Sequence, residues 1–380
     1  MNSQKHLFSL PDDIHYLNCA YKAPLLKSAE EAGIKALQRG RNPIQIKVED
    51  FFEPTHQVRK EFGKLIGAKP SSIAIIPSTS FGFSSVLNNV SGKEKGHAVT
   101  NLNEFPSGYY CLERWCKDQD QSLVVAAPTG ASNSIANWNQ ELLEAINQDT
   151  SVVLISSVHW MNGYRFDLEA IGKRCEEVGA VFIVDGTQSV GAMPINVEEC
   201  KIHALVCASY KWLFGPYSMG LMYVHEKFHD GVPLEESWMN RVNAQNFETL
   251  TQYTSDYTEG AGRYNVGETS HFVLTPILLE GLKQVNTWIP QFIQDYGEEL
   301  SKPLFSYLDH LGVETNSELF SNHLFSLKLP EQIEQEQFKS RLLERKIYLS
   351  VRGDALRVSL HTFNNSNDID QLIQAIKDSI

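Results

Sequence analysis

Short runs of consecutive apolar residues, rich in valine, isoleucine and alanine, recur through the first 225 positions of the chain. They lack the alternation of apolar and polar residues that marks a strand with one face in water. They therefore predict strands of a parallel sheet that is covered on both faces. The clearest runs occupy positions 73–76, 98–99, 123–127, 152–155, 181–184, 204–208 and 219–224.

Segments with the helical spacing of apolar residues separate these runs. Helices are predicted over 28–37, 56–66 and 138–146. Asp167 and Gly179 are suited to begin and end a further helix, because Asp caps a helix N-terminus and Gly ends one. This helix joins two of the apolar runs in a βαβ unit, which predicts parallel neighbours connected by a right-handed crossover. The pattern predicts an α/β fold with a mostly parallel sheet.

The pattern changes after position 275. Helices and short strands alternate from there to the last residue, which indicates a small α+β domain. The predicted segments are helices at 276–288 and 291–311, strands at 323–329, 347–351 and 355–360, and a final amphipathic helix. We predict a large α/β domain over 19–275 and a small α+β domain formed by 1–18 together with 276–380.

Composition narrows the class of protein. The 380 residues are 42% hydrophobic and 21% charged, which is ordinary for a globular chain with a large core. A net charge of −13 argues against nucleic acid or an anionic membrane surface as a partner. The six cysteines show no Cys-x-x-Cys spacing, so neither a zinc site nor a redox pair is indicated and no metal is expected. With no signal-peptide core or membrane span, we expect a cytoplasmic protein.

Two polar residues follow neighbouring apolar runs. Asp185 ends the run 181–184, and Lys211 comes three residues after the run 204–208. The carboxyl ends of strands in open α/β sheets are where ligands bind, so both side chains are expected to face one crevice. A buried structural ion pair would account for them. The alternative is a pyridoxal phosphate site, in which the lysine amine bonds the cofactor and the aspartate keeps its pyridine nitrogen protonated.

The sequence around both residues resembles a known family. Val-Asp-Gly-Thr-Gln-Ser-Val-Gly at 184–191 and Ser-Tyr-Lys-Trp-Leu-Phe-Gly-Pro at 209–216 are similar to the class V aminotransferase group of fold-type I enzymes that depend on pyridoxal phosphate. That group includes cysteine desulfurases, kynureninase and isopenicillin-N-epimerase-like proteins. The resemblance implies a fold-type I large domain and pyridoxal 5′-phosphate as the cofactor.

The resemblance also implies roles for residues near the cofactor ring. Lys211 would hold the cofactor and then move the proton on the substrate α-carbon, and Asp185 would keep the pyridinium charged. Asn162 and Gln188 would contact the phenolic oxygen of the cofactor. Tyr210, which precedes the lysine as in kynureninase-like members, would donate its O–H to the phosphate.

Other segments of the sequence match the family's pattern less completely. Thr79 and Ser80 fall in a hydroxyl-rich turn between a strand and a helix, which resembles the family's phosphate turn and is also consistent with an ordinary helix cap. Phe105 stands where the family often has a ring-stacking His, or it is a core residue. Thr269 follows Glu268 in a segment similar to Arg-Phe-Glu-x-Gly-Thr, which in the family reaches the phosphate of the neighbouring subunit. Arg357 matches an Arg that binds the substrate carboxylate.

These residues predict an enzyme that acts on the α-carbon of a small amino acid. An aminotransferase is the first choice, and a Cβ-lyase or an epimerase of the same group is the alternative. A cysteine desulfurase is not expected, because that activity needs a mobile Cys in the C-terminal part and the last cysteine is Cys207. The resemblance implies a homodimer with shared active sites. A non-catalytic binding protein on the same scaffold stays open, while a nicotinamide enzyme lacks its Gly-rich fingerprint.

Overall fold

The computed structural model describes residues 2–129, 135–330, 332–352 and 355–380, which form ten α-helices and twelve strands. The helices are α1 (Lys27–Arg39), α2 (Glu53–Ile66), α3 (Thr79–Leu87), α4 (Pro106–Asp118), α5 (Trp138–Ala145), α6 (Leu168–Val178), α7 (Leu274–Trp288), α8 (Pro290–His310), α9 (Gln335–Glu344) and α10 (Ser366–Lys377). The strands are β1 (His15–Tyr16), β2 (Ile73–Ile76), β3 (His97–Asn101), β4 (Ser122–Ala126), β5 (Thr150–Ser156), β6 (Val181–Asp185), β7 (Ala204–Ala208), β8 (Gly220–Val224), β9 (Leu324–Lys328), β10 (Ile347–Tyr348), β11 (Ser350–Arg352) and β12 (Ala355–Ser359).

The apolar runs form a central sheet of seven strands in the order β2-β8-β7-β6-β5-β3-β4. The pairs from β7 through β6, β5 and β3 to β4 are parallel, and β8 runs antiparallel to both of its neighbours, β7 and β2. The prediction of a mostly parallel sheet is therefore confirmed. Its strands β5 and β6 are buried throughout, as expected for a sheet that is covered on both faces.

Successive residues of the central strands enter two different hydrophobic clusters. In β5, Val153 and Ile155 belong to one cluster, whereas Val152 and Leu154 belong to the other. Helices α2, α6 and α7 complete the first cluster, and α3 and α4 complete the second. Because each face of the sheet has its own helix layer, polar side chains of the central strands β5 and β6 reach open space at the strand ends.

The C-terminal part builds a second, smaller assembly. Strands β11, β12 and β9 form an antiparallel sheet, and β10 pairs in parallel with β1 from the beginning of the chain. Both sheets share a third hydrophobic cluster with α8, α9 and α10. The boundary at 275 stays a prediction, and α7 beyond it packs against α1 and α2 of the large sheet assembly.

Several local features follow from the sequence. The Asp167 side chain accepts a hydrogen bond of 3.0 Å from Ala170 N and caps α6, and Gly179 ends that helix with a φ of 69°. Helices α4 and α9 were not predicted from the sequence. No helix in the described ranges is long and apolar enough to cross a membrane.

Candidate active site

A cavity of about 340 Å³ opens at the carboxyl ends of the central strands. Asp185 is the last residue of β6, and Lys211 follows the end of β7 in the turn that leads toward β8. Both side chains line this cavity, so the sequence prediction that they face one crevice is confirmed. The predicted cofactor residues that line it are Thr79, Ser80, Phe105, Asp185, Gln188, Tyr210 and Lys211.

The Lys211 amine is largely shielded from solvent. The residue is 6% exposed, and its Nζ lies 5.8 Å from the centre of the Phe105 ring and 5.6 Å from that of Tyr210. Burial lowers the pKa of Lys211 to about 8, although the Asp185 carboxylate opposes that shift. The positive charge of Arg357 adds to the lowering. A substantial fraction of the amine is therefore neutral, and hence nucleophilic, near physiological pH.

Asp185 is the buried acid of the site. It is 4% exposed, and its Oδ1 accepts a hydrogen bond of 2.8 Å from Thr187 N. Burial raises the pKa of Asp185, while the bond from Thr187 and the nearby Lys211 amine counteract the rise. This backbone bond fixes the carboxylate at the end of its strand, pointing into the cavity. A protonated heterocyclic nitrogen is a partner that such a carboxylate would hold well.

Both polar atoms of the Gln188 side-chain amide form hydrogen bonds within the protein. Its Nε2 donates to Ala20 O at 3.2 Å, and its Oε1 accepts a hydrogen bond of 2.9 Å from Trp212 Nε1. The indole of Trp212 is fully buried directly after the lysine, so it fixes Gln188 rather than opening toward solvent. Gln188 borders the cavity as a rigid wall.

A hydroxyl-rich turn closes another side of the cavity. Ser78 caps α3, where its Oγ accepts from Phe81 N at 3.2 Å, and Thr79 and Ser80 begin the helix. The first N–H groups and the positive end of this helix dipole suit an anion. Tyr210 borders the same cavity, and burial raises the pKa of its phenol, so its O–H remains a donor at neutral pH.

Glu104 is a second buried acid that sequence reasoning missed. Its carboxylate accepts hydrogen bonds from Phe105 N at 2.5 Å, from Ser156 N at 2.6 Å and from Ser156 Oγ at 2.5 Å. Burial raises the pKa of Glu104 to about 7, and the Asp185 charge adds to the rise. Ser156 is paired with Asp185 across β5 and β6, so the two acids are neighbours behind the cavity. The position of Glu104 beside Phe105, after an apolar run, was the available signal.

Three predicted residues do not line the cavity. Asn162 lies in the loop after β5, where its Oδ1 accepts from Tyr164 N at 3.0 Å and contacts His159 Nδ1 at 3.0 Å. Thr269 borders a different cavity, and its hydroxyl lies 3.9 Å from Met239 Sδ. Arg357 lies behind Trp160, which does line the cavity, and its positive charge acts on Lys211. The predicted cofactor contacts of Asn162 and Thr269 stay predictions.

Arg357 is buried beside the cavity. It is 2% exposed, and it donates to Trp160 O at 2.7 Å and to Ser350 Oγ at 3.3 Å. Trp160 itself lines the cavity and meets the Phe105 ring edge-on at a centroid distance of 5.5 Å. The guanidinium is thus one residue away from the cavity wall, on strand β12 of the smaller sheet.

The residues present fit pyridoxal phosphate. An amine of lowered pKa, a buried carboxylate, an aromatic ring and a helix N-terminus surround one cavity, and each matches a different part of that cofactor. The amine suits the carbonyl carbon, the carboxylate suits the pyridine nitrogen and the helix N-terminus suits the phosphate.

Comparison with known proteins agrees with this geometry. The family model described as "Aminotransferase class-V" matches residues 42–372. The chain is 23% identical over 358 residues, 94% of its length and 91% of the relative's, to "Uncharacterized aminotransferase YcbU" of Bacillus subtilis (strain 168). It is 26% identical over 271 residues to the kynureninase of Pseudomonas fluorescens, which covers 68% of this chain and 62% of that enzyme, less than two thirds of its length.

Solved structures share the whole fold. An apo cysteine desulfurase from Thermococcus onnurineus NA1 superimposes with a TM-score of 0.79 at 18% identity over 100% of this chain and 98% of that one. The cystine C-S lyase C-DES, in complex with its reaction product cysteine persulfide, gives a TM-score of 0.82 at 17% identity over 97% and 98% of the two chains. The predicted fold class is therefore confirmed. The chain belongs to the class V aminotransferase family of fold-type I enzymes, and its cofactor is pyridoxal 5′-phosphate.

Proposed function

We propose that this chain is an aminotransferase that acts on the α-carbon of a small amino acid. The observation that carries the proposal is the placement of Lys211 and Asp185 in one cavity at the ends of neighbouring parallel strands. When bound, the cofactor supplies an electron sink for the pair of electrons left at the α-carbon. The residues of the protein then have two tasks, which are to hold the cofactor and the substrate and to move one proton.

Lys211 is the proposed acid and base. With a pKa of about 8, its amine can take the α-proton in the neutral form and return it in the charged form near physiological pH. Aminotransfer needs both steps, because the proton leaves one carbon and is delivered to another, and a single amine in reach of both carbons can perform them. The surrounding rings of Phe105 and Tyr210 keep water away from the amine.

Asp185, Gln188 and the turn at Thr79 and Ser80 are the proposed cofactor-holding residues, with Tyr210 as a phosphate donor. Asp185 would keep a proton on the pyridine nitrogen, since its charge is buried and oriented by Thr187 N. We further propose that two copies of the chain share their active sites, with Thr269 serving the partner's phosphate and Asn162 reaching the phenolic oxygen after a change of side-chain rotamer.

Arg357 is the proposed substrate residue. A guanidinium binds a carboxylate with two parallel hydrogen bonds, which a lysine cannot reproduce. Arg357 donates to Trp160 O and to Ser350 Oγ, and Trp160 lines the cavity, so the guanidinium lies where its forked donors could bind a substrate carboxylate.

The cysteines support aminotransfer over desulfuration. Five of the six are buried, only Cys111 is partly exposed, and none lies beyond position 207. Burial raises the pKa of Cys19 and Cys207 well above its usual range, so both thiols stay protonated and neutral. A persulfide-forming nucleophile needs an accessible thiolate. The full-length likeness to a protein named as an aminotransferase points the same way.

The test is a screen of amino acids with the purified, cofactor-loaded chain. We expect visible absorption that borohydride abolishes, and amino-group transfer that depends on an added keto acid. Lys211→Ala should lose the absorption and at least about 10²-fold of the rate. Lys64→Ala, at an exposed lysine, is the control.

Three results would contradict the proposal. Product release without a keto-acid acceptor would identify a Cβ-lyase, and loss of substrate chirality alone would identify an epimerase. A chain that stays colourless after incubation with the cofactor would be a binding protein on this scaffold. Sulfide or persulfide release from cysteine at enzymatic rates would overturn the exclusion of desulfuration.

A further inference from the structure

The walls of the Lys211 cavity carry very little charge. Of the described residues that line it, only Asp185 and Lys211 have acidic or basic side chains. Both already have a task in the proposed function, one at the pyridine nitrogen of the cofactor and the other at the substrate α-carbon. The remaining residues of the wall carry hydroxyl, aromatic, amide or apolar side chains, so none of them offers a substrate side chain a counter-charge.

Two aromatic residues, Phe105 and Trp160, form one wall of this cavity. The centre of the Phe105 ring lies 5.8 Å from Lys211 Nζ, and this ring meets the Trp160 indole edge-on at a centroid distance of 5.5 Å. The indole is fixed by a hydrogen bond of 2.7 Å from its Nε1 to Asn103 O. Because its single polar atom is bonded to the backbone, the rest of the indole is an apolar surface.

The backbone of Trp160 connects this aromatic wall to the proposed carboxylate-binding residue. Its carbonyl oxygen accepts a hydrogen bond of 2.7 Å from Arg357 Nη1. A substrate whose carboxylate is bound by Arg357 and whose α-proton is taken by Lys211 has its α-carbon between these two residues. The side chain on that carbon then starts beside Trp160 and Phe105, which are the adjoining side chains of the cavity.

Uncharged walls discriminate against a charged substrate side chain. A carboxylate or an ammonium group that leaves water for this cavity gains no ion pair with the described walls, and the loss of hydration is then uncompensated. An apolar side chain instead gains roughly threefold to fourfold in affinity for each methylene group that it buries. The cavity has a volume of about 340 Å³ for cofactor and substrate together, so the side chain must also be short.

We propose that the substrate is a monocarboxylic amino acid with a short apolar side chain that packs against Trp160 and Phe105. This inference rests on the proposed aminotransfer and makes it more specific. The amino group passes from the donor to a keto acid, the donor leaves as a keto acid and the acceptor leaves as an amino acid, so no oxidant or reductant is consumed. Because donor and acceptor occupy one cavity in turn, the acceptor is a monocarboxylic keto acid too.

The first experiment measures binding to the wild-type holoenzyme with two pairs of ligands of equal chain length. 2-Aminobutyrate and aspartate differ only in a terminal methyl or carboxylate group, and butanoate and succinate repeat this contrast without the amino group. We expect titration of the cofactor absorption to give a Kd at least tenfold lower for 2-aminobutyrate than for aspartate. Butanoate should compete with 2-aminobutyrate at least tenfold better than succinate does.

Two variants test the aromatic wall itself. Trp160→Ala removes the apolar surface, and we expect it to weaken 2-aminobutyrate binding about tenfold. Trp160→Lys adds a cation to the wall, so it should shift the preference toward aspartate at least tenfold. Both variants keep the backbone carbonyl to which Arg357 donates. Tyr253→Ala is the control, because Tyr253 is 94% exposed and lies outside the cavity.

Two results would overturn the proposal. One is aspartate or succinate that binds the wild type as tightly as its uncharged counterpart, a comparison that needs no variant to fold. The other is a folded Trp160→Ala that binds 2-aminobutyrate as the wild type does. Selective binding of 2-aminobutyrate without keto-acid-dependent transfer would support the apolar wall and contradict aminotransfer. Transfer from aspartate to 2-oxoglutarate with a kcat/KM equal to that from 2-aminobutyrate to 2-oxopentanoate would support aminotransfer and contradict the apolar wall.

Discussion

Asp185 and Glu104 are two carboxyl groups on one side of the cofactor cavity with different surroundings. Asp185 has one backbone donor and the nearby lysine amine, so its charge has partners in the folded chain. Glu104 has three donors but lies next to the Asp185 charge, and its pKa is raised to about 7. Burial raises the pKa of both acids, and the Lys211 amine, which opposes the rise at Asp185, favours the charged form there.

Asp185→Asn tests whether the negative charge of Asp185 holds the pyridine nitrogen of the cofactor. The amide oxygen can still accept from Thr187 N, so the strand end should keep its geometry. Without the charge, the bond to a protonated pyridine nitrogen weakens, and we expect cofactor affinity to fall about 10- to 100-fold, the worth of a charge-assisted hydrogen bond. Absorbance titration of the cofactor measures this. Unchanged affinity would separate Asp185 from the pyridine nitrogen.

Glu104→Gln tests whether Glu104 is protonated in the folded chain, through the dependence of stability on pH. The folded pKa of Glu104, about 7, lies above its ordinary value of 4.5, so the stability that its proton provides is present at low pH and is lost as the pH rises through 7. Relative to Glu104→Gln, the wild type should lose about 3 kcal/mol of unfolding free energy between pH 4.5 and 8. Urea denaturation at each pH measures both proteins. A difference that does not change with pH would contradict the prediction.

The sequence located Asp185 and Lys211 because each follows an apolar run, and the edge of a parallel sheet brings strand ends together. Glu104 also follows an apolar run, but that position alone does not identify it as a buried acid of the site. Its surroundings come from Ser156, 52 positions away, and no local pattern specifies that contact. Thr269 was assigned to the cofactor by resemblance alone, and within the described chain its hydroxyl lies near Met239 Sδ.

At the scale of elements, strands were easier to predict than their order. Uninterrupted apolar runs mark β5, β6 and β7, but β8 has the same composition and runs antiparallel between β7 and β2. Helix α4 was not predicted from the sequence, although its residues Leu112, Trp115 and Cys116 are buried with helical spacing. Helix α9 buries only Phe338 and Leu342, which leaves a weak periodic signal.

Two glycines of helix α6 and its C-terminus test how tightly this helix packs against the segment that contains Cys200. A Cβ on Gly172 would lie 1.9 Å from the carbonyl oxygen of Cys200, whereas a Cβ on Gly179 would meet no atom within 4 Å. Gly179 has a φ of 69°, so its substitution strains only the backbone. We expect Gly172→Ala to destabilise the chain by about 3 kcal/mol through overpacking and Gly179→Ala by about 1 kcal/mol. Chemical denaturation measures both, and equal losses would show that the helix can shift away from Cys200.

At the scale of the whole molecule, buried neutral histidines link the two assemblies. His323 donates from Nε2 to Gln188 O at 2.7 Å, and its Nδ1 accepts from Gln294 Nε2 at 2.7 Å, so the smaller assembly is bonded to the wall of the cofactor cavity. Its ring meets Trp212 edge-on at 4.5 Å. Burial lowers the pKa of His323 and of His159 to about 4 and that of His361 to about 3.

These histidines predict acid unfolding. Each folded pKa lies below the ordinary value of 6.5, so the stability that each neutral ring provides is present above pH 6.5 and is lost as the pH falls toward 4. Unfolding near pH 5 should then take up about three protons from these rings, which corresponds to about 4 kcal/mol per pH unit. The raised pKa of Glu104 acts in the opposite direction and offsets up to one proton of this uptake.

His323→Gln isolates one of these protons. The amide can donate to Gln188 O and accept from Gln294, as the ring does, but it does not titrate. We therefore expect the slope of unfolding free energy against pH, measured by denaturation between pH 4.5 and 6.5, to fall by about 1.4 kcal/mol per unit. His6→Gln, at an exposed ring, is the matched control. If His323→Gln kept the full slope, the proton uptake would have to come from other groups, and the junction between the two assemblies would not be the acid-sensitive part of the molecule.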